Sequence, residues 1–126
     1  MRRDPVLAAV RFDPGTLLTP GEQDALRRFC AGFRSLPRMP RRVAVFGSRA
    51  RGDSHAQSDL DVAVLVDGPR DRSFESLLSG VALEAQKTYW LDGYGIYLRP
   101  VVIYRGEPEA FLNAIGGDLE VVWTRP

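Results

Sequence analysis

Cysteine is almost absent: Cys30 is the only one in 126 residues. That excludes an intrachain disulfide and any cysteine-based zinc site. Cys30 lies at helical spacing with Ala25, Leu26, Phe29 and Phe33, so it is expected in the core rather than at a reactive surface. Long apolar runs are missing too, and none approaches the ~18 residues that a membrane helix requires. Met1-Arg2-Arg3-Asp4-Pro5 precedes an apolar stretch of only Val6 to Val10, too short for a signal peptide. These absences lead to the expectation of a cytoplasmic protein with no membrane partner. Charge of one sign is not in excess either, since the formal net charge is +1. With no reader motif in the chain, nucleic acid is therefore the weakest of the candidate partners. His55, the single histidine, is expected to be a solvated loop residue. No internal repeat or low-complexity segment is present.

What remains is ordinary globular composition, 44% hydrophobic, enough for one core. Residues 1–18, with Pro5, Pro14 and Gly15, read as an irregular arm that packs on the domain or on a partner. Residues 19–126 read as one domain. Thr19-Pro20-Gly21-Glu22 signals a helix start with Thr19 as cap, and the helix should run to about Ser35. Pro37 and Pro40 end it. Strands are expected over 42–46 and 60–66, apolar on both faces, as in a covered sheet. Asp67-Gly68-Pro69 is a turn. Ser73 should cap a second helix, with Leu77, Leu78, Val81, Ala82, Ala85 and Tyr89 inward. A third strand spans 96–104, with Pro100 arguing for an edge or a bulge. A last helix starts at Glu107-Pro108, and a final strand covers 119–123. The order α-β-β-α-β-α-β predicts an α/β (α+β) domain, a small mixed sheet flanked by helices.

The chemistry concentrates in residues 43–66. An apolar run, Val43 to Phe46, stops at Gly47-Ser48, and ten residues later Asp59-Leu60-Asp61 opens a second apolar run. Alternate residues of a strand share a face, so Asp59 and Asp61 can converge on one point. Two such carboxylates repel unless a cation lies between them, and their hard oxygens suit Mg²⁺ or Mn²⁺ bridging to phosphate. Gly47 allows a phosphate close to the backbone, Ser48 adds a hydroxyl donor, and Arg49 and Arg51 can neutralise phosphate charge. More arginines precede the stretch, at Arg27-Arg28, Arg34, Arg38 and Arg41-Arg42; a solvated helix face explains those as readily. No Gly-Lys-Ser/Thr follows, so this is not a Walker loop.

The pattern Gly-Ser, ten residues, Asp-x-Asp resembles the signature of the DNA polymerase β-like nucleotidyltransferase superfamily, and in particular its minimal nucleotidyltransferase branch. That resemblance implies the family's small palm-like fold. It implies transfer of a nucleoside monophosphate, AMP from ATP being the expected case, to an acceptor hydroxyl with release of pyrophosphate. Gly47 and Ser48 would hold phosphates of the NTP, and Asp59 and Asp61 would be the catalytic, metal-binding residues. Small members are often encoded beside an all-helical protein and act as the antitoxin of a toxin–antitoxin pair, which implies a helical partner. A homo-oligomer is left open.

One departure stands out. Active members carry a third carboxylate on the next strand, and in Ile96-Tyr97-Leu98-Arg99-Pro100-Val101-Val102-Ile103 the comparable position is expected at Arg99. Asp92 and Glu107 are the nearest acids that could substitute. Two readings follow: a metal-dependent enzyme, or a catalytically silent module that binds a nucleotide or a partner.

Overall fold

The computed structural model describes residues 18–46, 59–91, 96–105 and 119–126. Helix α1 covers Pro20–Ala31. Thr19 Oγ1 accepts from the Glu22 amide at 3.1 Å, and the Thr19 amide donates to the Glu22 carboxylate at 2.9 Å. This reciprocal pair satisfies two amides that the first helical turn leaves open, as the sequence leads one to expect. The helix does not stay α to Ser35. It tightens into a 3₁₀ turn, Gly32–Ser35, which still buries Phe33.

Four strands follow: β1 (Arg42–Phe46), β2 (Leu60–Val66), β3 (Leu98–Tyr104) and β4 (Leu119–Thr124). They lie in the order β3-β2-β1-β4. β1 is antiparallel to β2 and to β4, with a register shift against β4 at Val43/Ala44. β2 and β3 are parallel, so the sheet is mixed. A parallel pair needs a long crossover, and helix α2, Arg72–Leu91, supplies it. Pro100 is tolerated because β3 is the edge strand among the described residues, where a missing N–H costs no ladder bond. Gly68, at φ 94°, makes the turn after β2; a left-handed φ is where glycine is favoured.

Two expectations about α2 need correction. Ser73 is not the cap: the Asp71 carboxylate accepts from the amides of Ser73 at 2.9 Å and Phe74 at 3.2 Å. A carboxylate also meets the positive end of the helix dipole, which a hydroxyl does not. Leu77 is not inward either, being 51% exposed. The buried stripe follows Phe74, Leu78, Ala82, Ala85 and Gln86, and Leu77 falls about 100° away from it on the helix. β3 begins at Leu98 rather than Ile96. The arm over 1–17, the loop over 47–58 and the helix expected after Glu107 lie outside the described residues.

The helices pack on one face of the sheet. There Leu26, Phe29, Cys30, Phe33, Phe74 and Leu78 meet Val43, Val45, Leu60, Val62, Val64, Val66 and Val122. Phe33 joins the layers through edge-to-face contacts with Phe29 at 5.0 Å and Trp123 at 5.2 Å. Cys30 is core, as expected, and burial pushes its thiol far above the ordinary 9.0. The opposite face carries a smaller set: Ala44, Ala63 and Ile103, with Phe46 and Leu65. Among the described residues, no helix is long and apolar enough to cross a membrane.

Candidate functional site

The alternation of β2 decides where its acids go. Leu60, Val62, Val64 and Val66 point to the helices, so Asp61, Ala63 and Leu65 belong to the other face. Asp61 is half-buried there, and Asp59, just before the strand, is exposed. Asp61 therefore lies where β2 enters the sheet, and Asp59 immediately precedes the strand.

The register on either side of Asp61 shows what surrounds it. Its partner on β1 is Phe46, and Gly47 is the next residue of the chain. Antiparallel pairing thus brings the exit of β1 and the entrance of β2 to the same end of the sheet. Its partner on β3 is Arg99, which is exposed. Directly paired residues share a face. Asp61 and Arg99 are accordingly neighbours across a strand gap of about 4.8 Å. The position singled out on the third strand holds a guanidinium beside the second acid.

Two polar contacts that sequence reasoning missed fix this corner. The Leu60 amide donates to Tyr97 O at 2.8 Å, joining the entrance of β2 to the approach to β3. The Leu98 amide donates to Gln86 Oε1 at 2.7 Å, and Gln86 is only 7% exposed. A buried side-chain acceptor on α2 thereby ties down the residue next to Arg99, and a buried polar group needs such a partner. The signal for Gln86 was its place, four residues after Ala82, on the apolar stripe of the helix.

By residue type and spacing, Asp59 and Asp61 could hold a hard divalent ion at the strand entrance. Among the described residues, no group of three or more histidine, cysteine, aspartate or glutamate side chains could hold a metal, and the residue paired with Asp61 on β3 is the cation Arg99. Gly47, Ser48, Arg49 and Arg51, expected at the phosphates, and Asp92 and Glu107, the substitute acids, lie outside the described residues.

Comparison with known proteins bears on this site. A family model described as nucleotidyltransferase domain matches residues 26–107, more than half of the chain and including both acids and Arg99. No curated protein matches. Among solved structures, the chain is similar to a candidate nucleotidyltransferase from Sulfolobus solfataricus, with 21% identity and a TM-score of 0.46, over 90% of this chain and 94% of that one.

Proposed function

This chain belongs to the nucleotidyltransferase domain family, and from that premise we propose that it moves AMP from ATP to a hydroxyl on a separate acceptor. The observation that carries the reading is the register at Asp61. It sets Asp61 beside Phe46, the residue before Gly47-Ser48 in the chain. This supports a reading in which the acids and the glycine-serine stretch act on one ligand.

In the reaction, the acceptor oxygen bonds to the α-phosphorus while that phosphorus separates from the oxygen leading to the β-phosphate. Pyrophosphate leaves with the electron pair of the broken bond, and the hydroxyl proton is given up to solvent. Gly47 lets the triphosphate approach the backbone, and Ser48 donates to it. Arg49 and Arg51 offset its charge. Asp59 and Asp61 would hold Mg²⁺ or Mn²⁺, which draws charge from the phosphate oxygens as the transition state develops. A helical partner protein, as in a toxin–antitoxin pair, is the acceptor we favour.

The pairing of Arg99 with Asp61 favours a second reading, a silent module that binds nucleotide without transferring it. Titration of the full chain with ATP, with and without Mg²⁺, separates the two when combined with transfer from α-phosphate-labelled ATP to a co-purified partner. Metal-dependent binding, lost in the Asp59→Asn/Asp61→Asn variant, together with label on the partner, is the expected result. Binding without transfer would favour the module. No binding at all would sink both.

A further inference from the structure

We propose that the Asp59/Asp61 site takes one divalent cation and not two, with Arg99 supplying the second positive charge as a fixed part of the protein. The inference rests on the nucleotidyl-transfer reading and narrows it.

Charge and reach at the strand entrance carry the argument. Asp59 and Asp61 bring two negative charges, enough to balance one divalent ion. Two-ion phosphoryl-transfer sites place their ions about 3.5–4 Å apart, so a second ion would share Asp61 and need further oxygen ligands close by. The residue that flanks Asp61 on β3 is Arg99, and the next residue along that strand is Pro100, which brings no ligand. No third acid joins the pair among the described residues.

A guanidinium is positive at every working pH and cannot act as a ligand to a cation. It therefore repels an ion on its side of Asp61. The same group is well formed to donate to phosphate oxygens, with planar paired N–H donors. Arg99 is exposed and free to reach over the face that Asp61 occupies. Its strand is held in register by the Leu98 amide to Gln86 Oε1 bond of 2.7 Å, so the charge is carried on a fixed backbone. An enzyme built this way would need the metal only to hold the phosphates, and Arg99 would meet the charge that develops on the group being transferred.

The test counts ions rather than turnover. The full chain is saturated with a non-hydrolysable triphosphate, and bound Mn²⁺ is counted by electron paramagnetic resonance. The wild-type chain should bind one Mn²⁺, and Arg99→Lys, which keeps the charge, should also bind one. Arg99→Asp should bind two, the second at least about tenfold more tightly than any further Mn²⁺ on the wild-type chain. Circular dichroism confirms folding, which substitution at an exposed position should preserve. Two ions on the wild-type chain, or one on Arg99→Asp, overturns the proposal and leaves nucleotidyl transfer standing. A wild-type chain that takes up neither Mn²⁺ nor triphosphate overturns the nucleotidyl-transfer reading and the proposal with it.

Discussion

Where β2 leaves the sheet, Asp67 is gripped by Arg41 at 3.0 Å, Arg105 at 3.4 Å and Arg125 at 3.6 Å; where β2 enters, none of the described arginines pairs with Asp59. The three arginines sit just outside β1, β3 and β4, so a single carboxylate cross-links the ends of all four strands. Arg38 extends the network, donating to Asp67 O at 2.8 Å and to the Asp71 carboxylate at 3.3 Å. The close Arg41–Asp67 contact is a charge contact rather than an aligned hydrogen bond, since neither Arg41 Nε nor Asp67 Oδ1 has a hydrogen-bond partner. At the exit, cations outnumber the acid and hold the strands together. At the entrance, among the described residues, Asp59 precedes β2 and Asp61 is paired with Arg99 across the strand gap. On the proposed reading, the entrance is the end that takes the ligand and the exit is the end that holds the fold.

Breaking the entrance should change binding and leave stability alone. Asp59→Asn/Asp61→Asn is expected to weaken metal-dependent triphosphate binding by at least about 100-fold. Its melting temperature should stay close to that of the parent, because Asp59 is exposed and Asp61 only half-buried. A matching loss of stability would show instead that the acids serve the fold. Breaking the exit should do the reverse. Asp67→Asn leaves three arginines without their shared carboxylate. The pairs are partly solvated, so the expected loss is about 1–2 kcal/mol in denaturant unfolding, shrinking as salt is raised. Triphosphate affinity should remain within about twofold of the parent.

The strands that frame the entrance were legible in the sequence, and most of the exit was not. β1 and β2 could be bounded because each is a short apolar run stopped by glycine or aspartate, and the boundaries agree with the structure. The third-strand position could be read as well, since Pro100 and the apolar run after it fix the strand, and Arg99 does pair with Asp61. At the exit, Arg41, Asp67, Arg105 and Arg125 are far apart in sequence and meet only once the strand order is known. No local pattern announces such a meeting. The cap of α2 was misread for a related reason. Asp71 and Ser73 are both acceptable caps by residue type, and the choice between them was made by tertiary contacts from Arg38 and Tyr104. Leu77 was misplaced because an apolar residue next to a stripe looks like part of it until the packed face is known.

The core beneath both ends supplies a smaller effect with a definite pH sign. Burial raises the Cys30 thiol above its ordinary 9.0. The folded chain therefore keeps its proton where the unfolded chain begins to lose it. Stability from this group is complete below pH 9 and is lost as the pH rises beyond it. The loss between pH 8 and pH 10 is on the order of 1 kcal/mol. Tyr104, also raised by burial, adds to the decline from about pH 10. In Cys30→Ala the slope between pH 8 and pH 9.5 should flatten, whatever the variant's absolute stability. An unchanged slope would mean that the thiol stays accessible in the folded chain.

Asp71 gives the finest test of how the exit is built, because its carboxylate does two things at once. It caps α2 through the amides of Ser73 and Phe74, and it pairs with Arg38 at 3.3 Å across a partly exposed gap. An N-cap replaced by alanine costs about 1 kcal/mol, whereas a partly exposed ion pair contributes about 0.5 kcal/mol or less. Asp71→Ala should therefore cost about 1–1.5 kcal/mol in chemical unfolding. Asp71→Asn keeps an oxygen for the two amides and gives up only the charge, so it should cost about 0.5 kcal/mol and respond little to salt. Equal losses in the two variants would mean that the charge, not the cap, is what Asp71 contributes. The exit would then be electrostatic throughout, with Arg38 and Arg41 acting on Asp71 and Asp67 in the same way.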